Sequence, residues 1–168
     1  MSPPLRTVGI HATCVLLDRA GASFGAPADA GVLILGKSGA GKSDLALRLI
    51  AMGAKLVADD RTDLFVRRGR LFGRAPKAIA GLMEVREVGI LALPHAAFAR
   101  IALTIEPKAG ARLPPHRRFS PPAPLQLAED KAPPLLAVAP FEASAAAKIA
   151  VATAAYERGL HRETVNRI

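Results

Sequence analysis

One stretch constrains this chain more than any other: residues 31–50, Gly-Val-Leu-Ile-Leu-Gly-Lys-Ser-Gly-Ala-Gly-Lys-Ser-Asp-Leu-Ala-Leu-Arg-Leu-Ile. Gly36, Gly41, Lys42 and Ser43 fill the spacing G-x-x-x-x-G-K-[ST], in which a glycine-rich loop turns its backbone N–H groups toward phosphate oxygens. The motif has meaning only between an entering strand and a leaving helix. Val32 to Leu35 is a short apolar run of strand type, and Leu45, Leu47, Leu49 and Ile50 continue as an apolar helical pattern. A glycine-rich turn matching by accident is the alternative, and the flanking elements argue against it. The loop Gly36-Lys37-Ser38-Gly39-Ala40-Gly41 therefore predicts a phosphate cradle at a helix N-terminus. Lys42 would reach the β- and γ-phosphates, and the Ser43 hydroxyl would ligate Mg²⁺. The expected ligands are ATP and Mg²⁺; the motif does not identify what receives the phosphoryl group.

The 168 residues suit one domain, and 51% hydrophobic content can build a core. No apolar run approaches the ~20 residues of a membrane span, and the N-terminus lacks an apolar signal core. The lone cysteine, Cys14, excludes an internal disulfide and fits a reducing compartment, so a cytoplasmic protein without a membrane partner is expected. The net charge of +9 suits nucleotide phosphates, an acidic protein or nucleic acid. Aromatic residues make up only 4%, with no Trp, which leaves little for stacking on bases. No nucleic-acid partner is expected.

Around the motif, the pattern predicts strands at Val8–Leu17, Lys55–Ala58, Leu64–Val66, Leu71–Phe72, Arg100–Ile105 and Leu135–Val138. The first strand, a turn-rich link over 18–30 and the strand before the glycine loop suggest a hairpin. Gly53 is placed to end the first helix, Ser43–Met52. Arg67-Arg68-Gly69-Arg70 reads as a hairpin tip. Ser144–Arg158 is an Ala-rich helix with Ile149, Ala152 and Tyr156 on one face and Gly159 as its cap; a polar tail follows. Residues 107–124, basic and Pro-rich, read either as a mobile loop facing a substrate or as a disordered insert.

Several residues have two readings. His11 near the start of the first strand is either packed or solvent-facing, or part of a site. Asp59-Asp60 follows the Lys55–Ala58 strand. Crowded carboxylates need a positive partner, so one would serve Mg²⁺ and the other as a base, unless the pair is an acidic turn capping the next element. If Leu82 to Arg86 is extended, Glu84 and Arg86 share a face. They would then bind Mg²⁺ and a phosphoryl oxygen, or form an edge-strand ion pair of little consequence.

Four pieces taken together resemble the catalytic domain of the HPr kinase/phosphorylase family, over roughly residues 8–158: Ile10-His11-Ala12; the glycine loop followed by Asp44; Leu56-Val57-Ala58-Asp59-Asp60-Arg61; and Leu82-Met83-Glu84-Val85-Arg86-Glu87-Val88-Gly89-Ile90. The last is similar to a family signature read Leu-x-Glu-x-Arg-Gly-x-Gly-Ile, with Glu87 replacing its first glycine. The resemblance implies an α/β fold, a P-loop nucleotide-binding domain with a mixed sheet, phosphoenolpyruvate-carboxykinase-like. It implies His11 as an active-site histidine, Lys42 as the P-loop lysine and Asp60 as the base acting on a substrate serine. Ser43 and Glu84 would be Mg²⁺ ligands with Asp59 beside them, and Arg112 in Arg112-Leu113 would be a late active-site arginine. The implied partner is the phosphocarrier HPr, and the family's hexamers make a homo-oligomer the expectation.

The chain departs from the family pattern. Residues 1–168 read as a single catalytic domain without the family's N-terminal domain, as in short α-proteobacterial versions. About ten extra residues separate the His11 strand from the P-loop strand. The stretch expected to carry a basic loop reads Pro140-Phe141-Glu142-Ala143-Ser144-Ala145, with no cation for the added phosphate that phosphorolysis requires. The expectation is an HPr serine kinase regulating a phosphotransferase system, with reverse phosphorolysis in doubt. The alternatives are a P-loop small-metabolite kinase and a nucleotide-sensing binding module.

Overall fold

The computed structural model describes residues 4–160. The polar tail read from the sequence lies, from 161 onward, outside the described residues. Strand β1 (Thr7–Leu16) is followed by β2 (Ala30–Leu35), helix α1 (Lys42–Ala51), β3 (Lys55–Ala58), β4 (Arg61–Arg67), β5 (Arg70–Arg74), β6 (Leu82–Val85), β7 (Gly89–Ala92), β8 (Ala99–Pro107), β9 (Leu135–Val138) and α2 (Ala145–Glu157). Each strand predicted from the sequence is present, as are both helices.

The P-loop strand β2 lies antiparallel to β1, with Thr13 opposite Ile34, and parallel to β8, with Gly31 opposite Ile101. Beyond β1 lies β3, antiparallel, and beyond β8 lies β9, parallel. The mixed layer therefore runs β3-β1-β2-β8-β9. The early half of β1 also pairs with β4, β4 with β5, and β5 with the start of β8. Strands β1, β2, β8, β5 and β4 thus close a ring.

Side-chain alternation divides these strands between two cores. Val15, Val32, Ile34, Leu56 and Ile105 pack against Leu45 and Leu49 of α1 and Ala146 and Ile149 of α2. Ala12, Cys14, Leu33, Leu64, Leu71 and Ile101 fill the space inside the ring. Leu45 and Leu49, one helical turn apart and fully buried, each contribute about 1.5–3 kcal/mol by leaving water. Cys14 belongs to the inner core, where burial pushes its thiol up to about 12, so it stays protonated at neutral pH.

Both helices end the same way. Gly53 adopts φ +115 while its N–H donates to Ile50 O and the Ala54 N–H to Leu49 O. At the end of α2 the Gly159 N–H donates to Tyr156 O and the Leu160 N–H to Ala155 O. These paired bonds satisfy carbonyls that the helix ends would otherwise leave open. Arg68 and Gly69, at φ +51 and +70, make the two-residue turn between β4 and β5, as the composition of that tip predicts.

The later part of the Pro-rich stretch is docked on the domain and is not a disordered insert. Its backbone is tied to β9: Phe119 N–H donates to Pro133 O and Leu135 N–H to Arg117 O. Leu125 is buried in the inner core with Phe119 and Leu127 against it. Three apolar side chains spaced through a proline-rich sequence suffice to dock the segment, which a reading dominated by Pro and Arg overlooks. The extra residues before β2 also pack. Arg158, just past α2, donates to Phe24 O at 3.5 Å.

Candidate active site

The glycine loop leaves the carboxyl end of β2 and passes through left-handed backbone at Gly36, Gly39 and Gly41, with φ of +131, +85 and +93. Gly41 is the N-cap of α1 and supplies no side-chain hydrogen bond. The first-turn N–H groups of α1 are therefore left for an external acceptor, and the helix dipole favours an anion there. Lys37, Ser38 and Gly39 are exposed at the crest, and the Ala40 N–H closes a turn onto Lys37 O.

Lys42 is 3% exposed; its ammonium donates to Lys37 O at 2.8 Å and pairs with Asp60 Oδ1 at 3.0 Å. Asp59, 7% exposed, accepts three hydrogen bonds: from Ser43 Oγ at 2.7 Å and Thr13 Oγ1 at 3.2 Å on Oδ1, and from the Glu84 backbone N–H at 3.1 Å on Oδ2. The two carboxylates thus face the P-loop and have distinct partners. They do not cap the next element, which removes the bland reading of the pair.

Asp60 sits at φ +60, with the Arg61 N–H bonded to Asp59 O at 2.7 Å. This is a γ-turn centred on Asp60, a strained arrangement for a residue with a Cβ. Thr13 holds it: its fully buried hydroxyl accepts from the Asp60 N–H at 3.0 Å while donating to Asp59. The Ala12 N–H donates to Asp60 O at 3.1 Å. Sequence reasoning missed Thr13, because a threonine in a β-branched strand reads as strand propensity. Its position two residues after His11, on one face of β1, was the available signal.

A cleft of about 410 Å³ opens over these groups, lined by the loop crest, Lys42, Ser43, Asp44, Leu47, Asp59, Asp60, Glu84, Val85, Arg86 and Phe141. Strand β6 ends at Val85, and Arg86 begins the turn into β7. Glu84 and Arg86 nevertheless both face the cleft and, among the described residues, form no ion pair with each other. His11 is exposed on β1, opposite Arg61. Alternation sets it on the face of Thr13 and Val15, toward the helices, but it does not line the cleft. Arg112 is exposed beyond β8 and does not line it either.

The residues present suit Mg²⁺. Among the described residues no cluster of three His, Cys, Asp or Glu could hold an ion alone. Mg²⁺ commonly relies on one or two carboxylates, waters and substrate phosphates. The Ser43 hydroxyl bonded to buried Asp59, beside an uncapped helix N-terminus, supplies the protein's share of such a shell.

A mixed α/β sheet that leaves a helix bare behind a glycine loop, and seats two carboxylates just past the end of the strand next but one, defines the P-loop class. Within that class the likeness is to one family. Residues 26–102 match the model of the HPr Serine kinase C-terminal domain. The HPr kinase/phosphorylase of Clostridium tetani is 48% identical over 64 residues, covering 38% of this chain and 21% of that protein. That of Clostridium beijerinckii is 51% identical over 61 residues, covering 36% and 20%. These alignments span about a fifth of the curated relatives' length. The structure of the Hpr(Ser) kinase/phosphatase from Coxiella burnetii superimposes with a TM-score of 0.67 at 21% identity, covering 91% of this chain and 98% of that one. The resemblance read from the four motifs is shown, and so is the mixed-sheet fold it implied. The fold likeness extends well beyond the segment matched in sequence.

Proposed function

We propose that this domain is an ATP- and Mg²⁺-dependent protein-serine kinase acting on the phosphocarrier HPr, and so regulating a phosphotransferase system. The observation that carries the reading is the pairing of Lys42 with Asp60 at 3.0 Å beside an Asp59 bonded to Ser43. A binding module needs no exposed carboxylate strained into position next to its phosphate lysine.

The α1 N-terminus, the loop amides and Lys42 bind the β- and γ-phosphates. Ser43, Asp59 and Glu84 would hold Mg²⁺, which would supply charge to neutralise the triphosphate. Nucleotide competes with Asp60 for Lys42, so binding releases the carboxylate. Asp60 then takes the proton of the substrate serine as its oxygen bonds to the γ-phosphorus and the bridge to ADP breaks. Arg86 faces the charge that develops on the transferred group. His11 stands on the strand that braces the Asp60 turn. Most of the acceleration comes from positioning and fixed charge. The reverse reaction, phosphorolysis, lacks cationic cover for an added phosphate. The 140–145 loop offers no cation, and the nearby Arg48 is engaged by the carbonyls of Pro140 and Glu142.

The test is phosphoserine formation on purified HPr with Mg-ATP, read by intact mass, with Lys42→Ala as the blank. Asp60→Asn should lose about 10² to 10⁴ in turnover, the range of a general base, while binding ATP at least as tightly because Lys42 is freed. Equal turnover by Asp60→Asn refutes its role as base. ATP consumed only with a small acceptor favours a metabolite kinase, and ATP bound with no transfer favours a sensor.

A further inference from the structure

We infer that Phe141 is the platform on which the base of the nucleotide stacks; this rests on the reading of the P-loop as a nucleoside-triphosphate site. Three observations carry it. The first is exposure. Phe141 is 74% exposed, yet lines the cleft that contains Lys42, Asp59 and Asp60. A ring left in water beside a polar cleft suits a planar apolar ligand.

The second is preorganisation. One guanidinium grips the chain on both sides of the ring: Arg48 Nη1 donates to Glu142 O at 2.9 Å, and Nη2 donates to Pro140 O. Arg48 is itself held by Asp44 at 2.8 Å, and Glu142 by Lys148 at 2.6 Å. The ring also abuts the glycine loop, since a Cβ on Gly41 would stand 3.1 Å from Phe141 Cζ. A ring whose backbone is already held on both sides gives up less freedom when a ligand stacks on it.

The third is polarity along the cleft. In the order β3-β1-β2-β8-β9, the P-loop follows the central strand. Asp59 and Asp60 follow β3 on one flank, and Phe141 follows β9 on the other. A triphosphate laid along the loop with its γ-end at Asp60 points its nucleoside toward Phe141. The carboxyl ends of the parallel strands β2, β8 and β9 are also where open α/β sheets bind ligands.

The experiment compares Mg-ATP with Mg-tripolyphosphate, which has the phosphates and no base, by calorimetric titration of wild type, Phe141→Ala and Phe141→Tyr. Phe141→Ala should weaken ATP about tenfold, within the range of base–aromatic stacking, and leave tripolyphosphate unchanged; Phe141→Tyr should restore ATP. The chain has no Trp, so Phe141→Trp adds a single reporter, quenched by ATP and not by tripolyphosphate. Unchanged ATP affinity in Phe141→Ala overturns the platform and leaves the P-loop reading intact. Equal weakening of both ligands overturns it too, by showing that the ring only props Gly41. A rise in KM for the protein acceptor alone assigns the ring to that partner instead. Failure of both ligands to bind the wild type fails the P-loop reading itself.

Discussion

At the scale of single residues, left-handed backbone marks where the chain accepts strain. Asp60 accepts it inside the site, braced by Thr13. Glu87 accepts it at φ +69 in the turn between β6 and β7, at the position where the resembling signature has glycine. A side chain there costs about 1–2 kcal/mol, partly offset because glycine loses more freedom on folding. Glu87→Gly should therefore stabilise the domain by about 1 kcal/mol, raising Tm by about 2–4 °C; a calorimetric scan showing a lower Tm would mean that the carboxylate has a compensating role. The residues proposed to hold phosphate were legible in the sequence because such chemistry imposes spacing. Lys42, Ser43, Asp59 and Asp60 converge as that spacing requires. Phe141 was read only for the cations its loop lacks, and nothing in Pro-Phe-Glu says which way a ring points.

At the scale of elements, strands and helices followed from alternation and from glycines at helix ends. The segment between β8 and β9 did not, because proline and arginine hide the few apolar residues that dock it. Its polar tether is Glu106 at the end of β8, which accepts from Lys108 at 2.9 Å and Arg117 at 3.3 Å. Those cations, Lys108 first, hold its carboxyl below the ordinary value of 4.5. A depressed carboxylate pKa contributes stability that is present above the unfolded value and is lost as pH falls through the folded one. Thermal melts of wild type and Glu106→Gln should differ at pH 6 and converge as pH falls through the lowered folded pKa of Glu106. Curves separated equally at every pH would remove the tether. The protection factor of the Leu135 amide, bonded to Arg117 O, should fall over the same interval.

At the scale of the whole molecule, the segment recognised in sequence is smaller than the unit that folds. Residues 26–102 exclude β1, most of β8, β9 and α2. These supply both neighbours of β2, and with them Thr13 and more than a third of the helix-side core. A fragment of 26–102 should show no cooperative melt by far-UV circular dichroism, whereas residues 4–160 should show one; a cooperative fragment would disprove the dependence. The P-loop strand is flanked on one side by β8, with Gly31 opposite Ile101 roughly seventy residues later. A ribosome adding about 5–20 residues per second leaves that partner missing for several seconds after the glycine loop has emerged. The nascent polypeptide thus displays the motif well before it owns a pocket. On the nucleotide-site reading proposed above, competence to hold ATP waits until β8 has emerged, so a product that stops short of that strand would not sequester it.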